Sequence, residues 1–202
     1  YRGWGGLAAI FDHAHTSHSS KRVELQELLS NDEYISLKRS TLSAFYTSPL
    51  LVNSVWNAMK HLGLNEGFGI DPAFGIGNFA SAMPIDMQDK VTLQAKELDP
   101  LTAEIARHIH GPLIKNEGYE KAKIPSNTYD FAVGNIPFGD FKVYDPHHRD
   151  LGKHQIHDYF ILKSLDKVKP GGFVSFITSS GTLDKKSDTV RELISKQAFF
   201  FF

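Results

Sequence analysis

The sequence predicts an α/β fold, in which an open, doubly wound and mostly parallel sheet follows an N-terminal helical extension. From Gly67 onward, short apolar runs alternate with helical stretches, a pattern typical of parallel βαβ units. A glycine-rich turn follows the first of these runs, and an acidic or amide residue closes later ones. Ligands bind such sheets at the carboxyl ends of the strands, so these positions are candidate site positions.

Composition excludes several classes of protein. The chain has 202 residues, of which 41% are hydrophobic, and 22 basic against 23 acidic side chains. It therefore lacks the basic excess of many nucleic-acid-binding domains. Because cysteine is absent, disulfides, thiolate metal sites and a cysteine nucleophile are excluded. The apolar runs are far shorter than the ~20 residues of a membrane helix, and no signal peptide is visible, so we expect a cytoplasmic protein without membrane partners.

The first 44 residues are predicted to form the helical extension, and residues 45–202 the main domain. In the extension, the spacing of four apolar residues predicts an amphipathic helix: Val23, Leu25, Leu28 and Leu29. Ser48 and Pro49 predict the start of the next helix, with the hydroxyl as cap and the proline in the first turn. Its predicted apolar stripe comprises Leu51, Val52, Val55, Trp56, Met59 and Leu62.

Four strands are predicted at residues 68–70, 91–97, 129–134 and 173–177, and a less definite one near 113–119. One crossing helix is expected from Pro100 to His110, opened by Asp99. A second carries Ile156, Tyr159, Phe160, Leu165 and Val168, and is expected to stop at Pro170-Gly171-Gly172.

The turn after the first strand reads Asp71-Pro72-Ala73-Phe74-Gly75-Ile76-Gly77-Asn78-Phe79. Its two glycines allow close approach of the backbone to a ligand, and the Asp71 carboxylate can accept a hydrogen bond. Glu97, twenty residues after Gly77, is placed to bind both hydroxyls of a ribose. The same spacing fits a dinucleotide-binding fold, so the two motifs indicate a nucleoside without saying which. A ligand-free glycine turn is the alternative, and Glu97 or Asp99 could instead cap the following helix, a role that we assign mainly to Asp99.

The tetrapeptide Asn135-Ile136-Pro137-Phe138 follows the strand at 129–134. The Asn135 amide oxygen and the Ile136 carbonyl can accept both protons of a planar NH2 group, and Phe138 can stack on the ring that carries it. Such an arrangement suits methylation of an amine and has no particular use in a nicotinamide oxidoreductase. An Asx turn that closes a strand is the alternative interpretation.

Histidines raise the question of a metal site, since His13, His15 and His18 lie close together in sequence. They lack carboxylate or cysteine partners at ligand spacing, so we expect no metal. The histidines of the segment 147–149 fit better in a loop near substrate phosphates, where positive charge comes from Lys142, Arg149 and Lys153. A solvated loop is an equally good reading.

From Phe45 to Leu183, these motifs resemble the adenine-specific, amino-methylating family of S-adenosylmethionine-dependent DNA methyltransferases. The resemblance implies a Rossmann-like methyltransferase sheet, S-adenosyl-L-methionine as cofactor, and Asn135, Ile136, Pro137 and Phe138 as the catalytic tetrapeptide. It implies that the cofactor is bound by Tyr46, Thr47, Asp71, Ala73, Gly75, Gly77, Asn78, Phe79, Glu97 and Leu98. Glu120 is expected near the cofactor adenine, because the end of the third strand borders the same crevice. The chain departs from the family pattern at Ile136, which replaces a proline, and at Phe74, where a small residue or cysteine is common.

Within the family, residues 1–6, 135–144, 157–160 and 177–183 look similar to the methylase portion of large helicase-containing proteins of bacterial mobile elements. This resemblance implies a bacterial cytoplasmic protein related to restriction-modification, with double-stranded DNA as substrate. It also implies linked target-recognition and helicase domains, and a chain that ends before the last two strands of the sheet.

The leading hypothesis is methylation of the exocyclic amine of adenine in DNA, with the base flipped out. RNA or a protein glutamine amide could be the acceptor instead, because the same tetrapeptide serves any planar NH2 group. A noncatalytic module that binds cofactor or DNA in a larger protein also remains open. A nicotinamide oxidoreductase is the weakest contender.

Overall fold

The computed structural model describes residues 4–41 and 45–199. Five strands in these residues form one sheet: β1 Gly67–Asp71, β2 Val91–Glu97, β3 Lys115–Asn116, β4 Tyr129–Asn135 and β5 Val168–Ile177. Their order is β3-β2-β1-β4-β5, and every pairing is parallel. The strand order reverses between β1 and β4, and a ligand site is expected at this switch point. The predicted α/β, doubly wound fold class is confirmed.

Nine helices in the same residues connect or precede the strands: α1 Ala8–Phe11, α2 Ser19–Leu28, α3 Asn31–Ser40, α4 Pro49–His61, α5 Asn78–Ser81, α6 Pro100–His110, α7 Ile156–Lys167, α8 Gly181–Asp184 and α9 Thr189–Ser195. Helix α6 has its predicted bounds, and Asp99 Oδ2 accepts the Thr102 N–H at 2.8 Å as its cap. Helix α4 also begins at the predicted Pro49, but the Ser48 hydroxyl makes no capping hydrogen bond. Its first turn depends on the fixed φ of the proline instead.

The predicted apolar face of α2 is wrong. Val23 and Leu28 are 52% and 73% exposed, and the side chain that α2 buries is Arg22. Its guanidinium donates to three carbonyls at the end of α1 and in the following turn, those of Ile10, Asp12 and His15, at 3.1, 2.7 and 3.0 Å. The carbonyls at the end of a four-residue helix need donors, and Arg22 supplies them.

Apolar side chains pack on both faces of the sheet. On one face, α4 buries Val52, Trp56 and Met59 against the Phe131 and Val133 side chains of β4. Leu51 and Leu62 of the predicted α4 stripe are about half exposed, at 52% and 46%. On the other face, α7 packs its aromatic side chains against β1, β4 and the tetrapeptide residue that follows β4: Tyr159 and Phe160 against Ile70, Ala132 and Ile136. The carboxyl ends of β1 and β4 are therefore held between two packed layers.

The segment Pro170-Gly171-Gly172 is a bulge in β5 and does not end a helix. Helix α7 stops at Lys167, and the pairing of β4 with β5 jumps from Tyr129–Val168 to Phe131–Phe173. Gly171 has φ +82°, and a Cβ at Gly172 would lie 2.3 Å from the Asp130 carbonyl oxygen. Only glycines fit this turn, which explains the sequence signal that we assigned to a helix end.

The third strand is shorter than expected. The prediction spanned 113–119, whereas β3 is only Lys115–Asn116, paired with Lys96 and Glu97 of β2. A 3-10 turn at Tyr119–Lys121 buries the Tyr119 side chain.

No helix in the described part of the chain is long and apolar enough to cross a membrane. Residues 1–3, where one of the resembling stretches begins, and 42–44 and 200–202 lie outside the described residues.

Candidate functional site

The predicted motifs meet at the carboxyl ends of β1 and β4. A narrow pocket of about 50 Å³ there is lined by Phe45, Tyr46, Thr47, Asp71, Ala73, Phe74, Asn78, Phe79 and Asn135. A larger cavity of about 510 Å³ lies at the opposite edge of the sheet, around Gly67, Asp130 and Lys169. Ligands of parallel sheets bind at the carboxyl edge, and the motifs are at that edge. The smaller pocket is therefore the candidate site.

The glycine turn takes its shape from two close approaches. Gly75 and Gly77 have φ of +57° and +84°, a region that side chains disfavour. A Cβ at Gly75 would lie 2.7 Å from the Tyr46 ring, and one at Gly77 would lie 2.3 Å from Nε2 of His110. Nε2 of His110 also lies 3.0 Å from the Ile76 carbonyl oxygen. The turn is thus packed against Tyr46 on one side and His110 on the other. Packing and backbone conformation alone therefore require glycine at positions 75 and 77, with or without a ligand.

Two carboxyl groups at this edge have raised pKa values. Asp71 is 1% exposed, and burial raises its pKa to about 8 although its Oδ1 accepts the Ala73 N–H at 3.2 Å. Burial also raises the pKa of Glu97, to about 7. The two Glu97 oxygens accept the N–H groups of Gly75, at 2.7 Å, and Asp99, at 2.8 Å. Glu97 therefore ties the glycine turn to the start of α6.

The segment Phe45-Tyr46-Thr47 covers the pocket and is held by two side-chain amides. Asn78 Nδ2 donates to the Thr47 carbonyl at 3.0 Å, and Asn135 Nδ2 donates to the Phe45 carbonyl at 2.7 Å. The opposite atom of that second amide, Oδ1 of Asn135, is buried without a hydrogen-bond partner among the described residues, and so is the Thr47 hydroxyl. Buried polar atoms are normally satisfied. These two atoms are available to a ligand in the pocket.

The tetrapeptide leaves the sheet immediately after β4. The Ile136 N–H donates to the Ile177 carbonyl of β5 at 3.0 Å, and the Ile136 side chain is 1% exposed. Phe138 is 39% exposed, and its ring stacks on that of Phe45 with centroids 6.1 Å apart and an interplanar angle of 24°. Phe138 and Asn135 thus both contact Phe45, the first through its ring and the second through its amide nitrogen.

Five predicted cofactor residues do not line the pocket, namely Gly75, Gly77, Glu97, Leu98 and Glu120. The first three belong to the glycine turn or are hydrogen-bonded to it, whereas the last two point elsewhere. Leu98 is 68% exposed. Glu120 folds back over its own turn, since a Cβ at Gly118 would lie 2.3 Å from a carboxylate oxygen of Glu120. Contacts of either side chain with a cofactor stay predictions.

Sequence reasoning missed a buried polar cluster behind the tetrapeptide. Asp145 and Lys163 are both 0% exposed and pair at 2.8 Å. Burial alone would raise the pKa of Asp145, but hydrogen bonds from Lys163 and Tyr159 hold that pKa well below its usual range. A lysine one turn after Tyr159, on the packed face of α7, was the available signal, because a buried lysine requires a partner.

The fold is that of S-adenosylmethionine-dependent methyltransferases. A protein of Listeria monocytogenes assigned as a class I enzyme of that kind superposes with a TM-score of 0.59, at 16% identity over 95% of this chain and 69% of that one. A protein of Vibrio vulnificus assigned as the modification subunit of a type I restriction enzyme gives 0.59, at 16% identity over 90% of this chain and 42% of its own. The type I restriction-modification methyltransferase subunit of Streptococcus thermophilus gives 0.58, at 18% identity, with 79% and 41% covered.

In sequence, the chain is similar to the defense against restriction protein B of Escherichia phage P1. The two are 29% identical over 146 residues, which cover 68% of this chain and 6% of the phage protein. The chain thus spans a small part of that relative. No protein-family model matches it. A phage relative and two restriction-modification neighbours fit the mobile-element context that the sequence resemblance implied.

Proposed function

We propose that the protein transfers a methyl group from S-adenosylmethionine to the exocyclic amine of adenine in DNA. The observation that carries the proposal is Asn135, whose buried Oδ1 atom lacks a partner in the described part of the chain. Its amide nitrogen binds the Phe45 carbonyl, and the ring of Phe45 stacks on the half-exposed Phe138 ring. The methyltransferase fold and the restriction-modification subunits among its neighbours support this choice of reaction and of acceptor.

The residues present fit the cofactor. The pocket combines the buried Asp71 carboxyl, suited to a cationic group, with the free Thr47 hydroxyl. At its edge, each Glu97 oxygen accepts one backbone N–H, and each retains a lone pair for a ribose hydroxyl. Bound there, S-adenosylmethionine would supply a methyl group on a positively charged sulfur, which is already an activated leaving group.

The acceptor amine is activated by the protein. The amine of adenine is a weak nucleophile, because its lone pair is delocalised into the ring. Oδ1 of Asn135 and the Ile136 carbonyl accept hydrogen bonds from its two N–H groups, which favours a tetrahedral nitrogen with a localised lone pair. The amine so oriented would take the methyl group with the neutral thioether as leaving group, and its surplus proton would pass to solvent water. Phe138 provides the stacking face for the flipped base.

Double-stranded DNA is the proposed substrate, and further linked domains are proposed partners in the same protein. Recognition of a target sequence and any helicase activity would belong to those domains. The support for them is the phage relative, of which this chain matches 6%.

Methyl transfer from labelled S-adenosylmethionine tests the proposal. Four acceptors are compared: a duplex that contains adenine, the same duplex with purine (which lacks the amine) in place of adenine, an RNA of equal sequence, and a glutamine peptide. We expect label in the adenine duplex only, and loss of that label in Asn135→Ala. Label in the RNA or the peptide alone would move the function to those acceptors. Cofactor binding without label in any acceptor would support a noncatalytic module.

A further inference from the structure

The loop between β4 and α7, residues 138–155, is fastened from the inside by Asp145. Oδ1 of Asp145 accepts the N–H groups of His147 and His148 at 2.8 and 3.0 Å. Oδ2 accepts the Tyr159 hydroxyl at 2.6 Å and the Lys163 ammonium at 2.8 Å. A loop tied at its middle to a fully buried ion pair is preorganised, unlike a freely solvated loop.

The outer side of this β4–α7 loop carries aromatic rings. Phe141 is 50% and Tyr144 73% exposed. The Phe141 ring lies over Gly139, since a Cβ at Gly139 would be 2.8 Å from that ring. Gly139 directly follows Phe138 in sequence. Val143 packs into the core and Asp145 is buried, so the intervening Tyr144 projects outward. With Phe138, this part of the loop thus carries three exposed aromatic rings within seven residues of sequence.

Positive charge accompanies these rings. Lys142 and Arg149 are exposed, and in residues 4–41 and 45–199 neither has a carboxylate within 4.0 Å, whereas Lys153 is paired with Asp150. Exposed aromatic faces stack on unpaired bases of any sequence, and unpaired cations attract backbone phosphates. Flat rings and phosphates alternate in a nucleic-acid strand but not in a protein acceptor.

We propose that the β4–α7 loop binds the nucleotides that flank the acceptor base, with Phe141 and Tyr144 stacked on unpaired bases and Lys142 and Arg149 at phosphates. The inference rests on the proposed function, since the loop can contact flanking nucleotides only if the acceptor base enters the pocket at Asn135. It adds that the strand next to the acceptor is held unpaired.

Fluorescence anisotropy with labelled single-stranded and duplex DNA, at saturating S-adenosylhomocysteine and several salt concentrations, tests it. We expect Phe141→Ala and Tyr144→Ala each to weaken binding of the single strand about 5-fold or more. Lys142→Gln and Arg149→Gln should each lower the slope of log affinity against log salt by about one. The matched controls are Leu113→Ala, 89% exposed, and Lys123→Gln, both exposed near β3; they should bind as wild type.

The outcomes separate this inference from the proposed function. Wild-type protein that methylates DNA, with loop variants that bind as wild type and keep the salt slope, would overturn the inference and leave the function intact. Wild-type protein that neither binds nor methylates DNA would overturn both. Loop variants that weaken only the binding of a glutamine peptide would show that the surface serves a protein acceptor, and would also contradict the inference.

Discussion

Asn135 and Phe138 are adjacent in the site but should contribute to different steps. The Asn135 oxygen is placed to act on the amine as charge develops, and the Phe138 ring to act on the bound base. Removal of one preorganised hydrogen-bond partner lowers rate by about 10²–10³-fold, whereas loss of a stacking face costs about 1–3 kcal/mol of binding.

We therefore expect Asn135→Ala to lower kcat by about 10²–10³-fold and Phe138→Ala to raise mainly the KM for DNA. Steady-state kinetics of both variants, with cofactor affinity measured by calorimetry, check this split. Leu50→Ala, 76% exposed on α4, serves as control. Equal losses of kcat in both variants would contradict the division of roles.

Glu97 should make cofactor affinity depend on pH. Burial raises its pKa to about 7, so the group is protonated below neutral pH and ionised above it. Only the carboxylate can accept two strong hydrogen bonds from ribose hydroxyls. Affinity for S-adenosylhomocysteine should therefore rise as pH increases through about 7.

Calorimetric titrations of S-adenosylhomocysteine between pH 6 and 8 test this prediction. Glu97→Gln should weaken binding at pH 8 about 10-fold or more, since a hydrogen bond to a charged group contributes about 1.5–3 kcal/mol, and should reduce the pH dependence. The exposed Glu104→Gln, in the helix α6 that follows β2, is the control. A Glu97→Gln variant with wild-type affinity at pH 8 would disprove the ribose contact.

At the scale of elements, the β4–α7 loop should depend on its buried carboxylate. Asp145→Asn removes the charge partner of Lys163. Removal of one partner from a buried ion pair lowers the free energy of unfolding by about 3–5 kcal/mol, because the other charge stays buried without a counter-charge. Asp150→Asn is the matched control, because the Asp150–Lys153 pair is exposed, at 91% and 73%, and such pairs contribute about 0–1 kcal/mol. Urea unfolding measures the free energy of unfolding of both variants, and we expect the larger loss in Asp145→Asn. Similar free energies of unfolding in the two variants would refute the prediction.

Elements with a local signal were predicted well from sequence. The cap at Asp99 and the proline after it gave the start of α6, and the apolar run gave β2 with its bounds. The bulge at 169–172 was misassigned, because Pro-Gly-Gly has the same composition in a helix end and in a bulge, and only pairing with β4 distinguishes them.

In the site, too, short motifs could be predicted from the sequence, whereas contacts between distant residues could not. The glycine turn and the tetrapeptide were visible as motifs, and the structure brings them to one pocket. The carbonyl of Phe45, which Asn135 binds from 90 positions away, and the pairing of Lys163 with Asp145 depend on tertiary contacts. No spacing in the sequence encodes them.

At the scale of the molecule, two acids with raised pKa values should make the ligand-free protein less stable as pH rises. Unfolded Asp and Glu titrate near about 3.9 and 4.3, whereas Asp71 and Glu97 titrate near 8 and 7 in the fold. Between these values the unfolded chain releases protons that the fold retains, so stability is full below pH ~4 and decreases up to pH ~8, by as much as about 1.4 kcal/mol per pH unit for each group.

Urea unfolding between pH 5 and 8 measures that slope. Asp71→Asn should reduce it, because the amide does not titrate, and S-adenosylhomocysteine should reduce it by favouring the ionised forms. Asp89→Asn, at an exposed position, should keep the wild-type slope. A slope that is unchanged in Asp71→Asn would show that this carboxyl is ionised in the fold.

The Lys163 side chain hydrogen-bonds to two segments that are distant in sequence, the β4–α7 loop and the turn after β3. Besides Asp145, its ammonium donates to the Tyr119 carbonyl at 2.7 Å, in the turn that contains Glu120. Lys163 therefore joins the β4–α7 loop to the turn after β3 by direct hydrogen bonds, and a loop shift caused by the proposed acceptor would alter the contacts of that turn. Thermodynamic linkage requires that such coupling be reciprocal. A factor by which a bound acceptor raised cofactor affinity would therefore equal the factor by which a bound cofactor raised acceptor affinity.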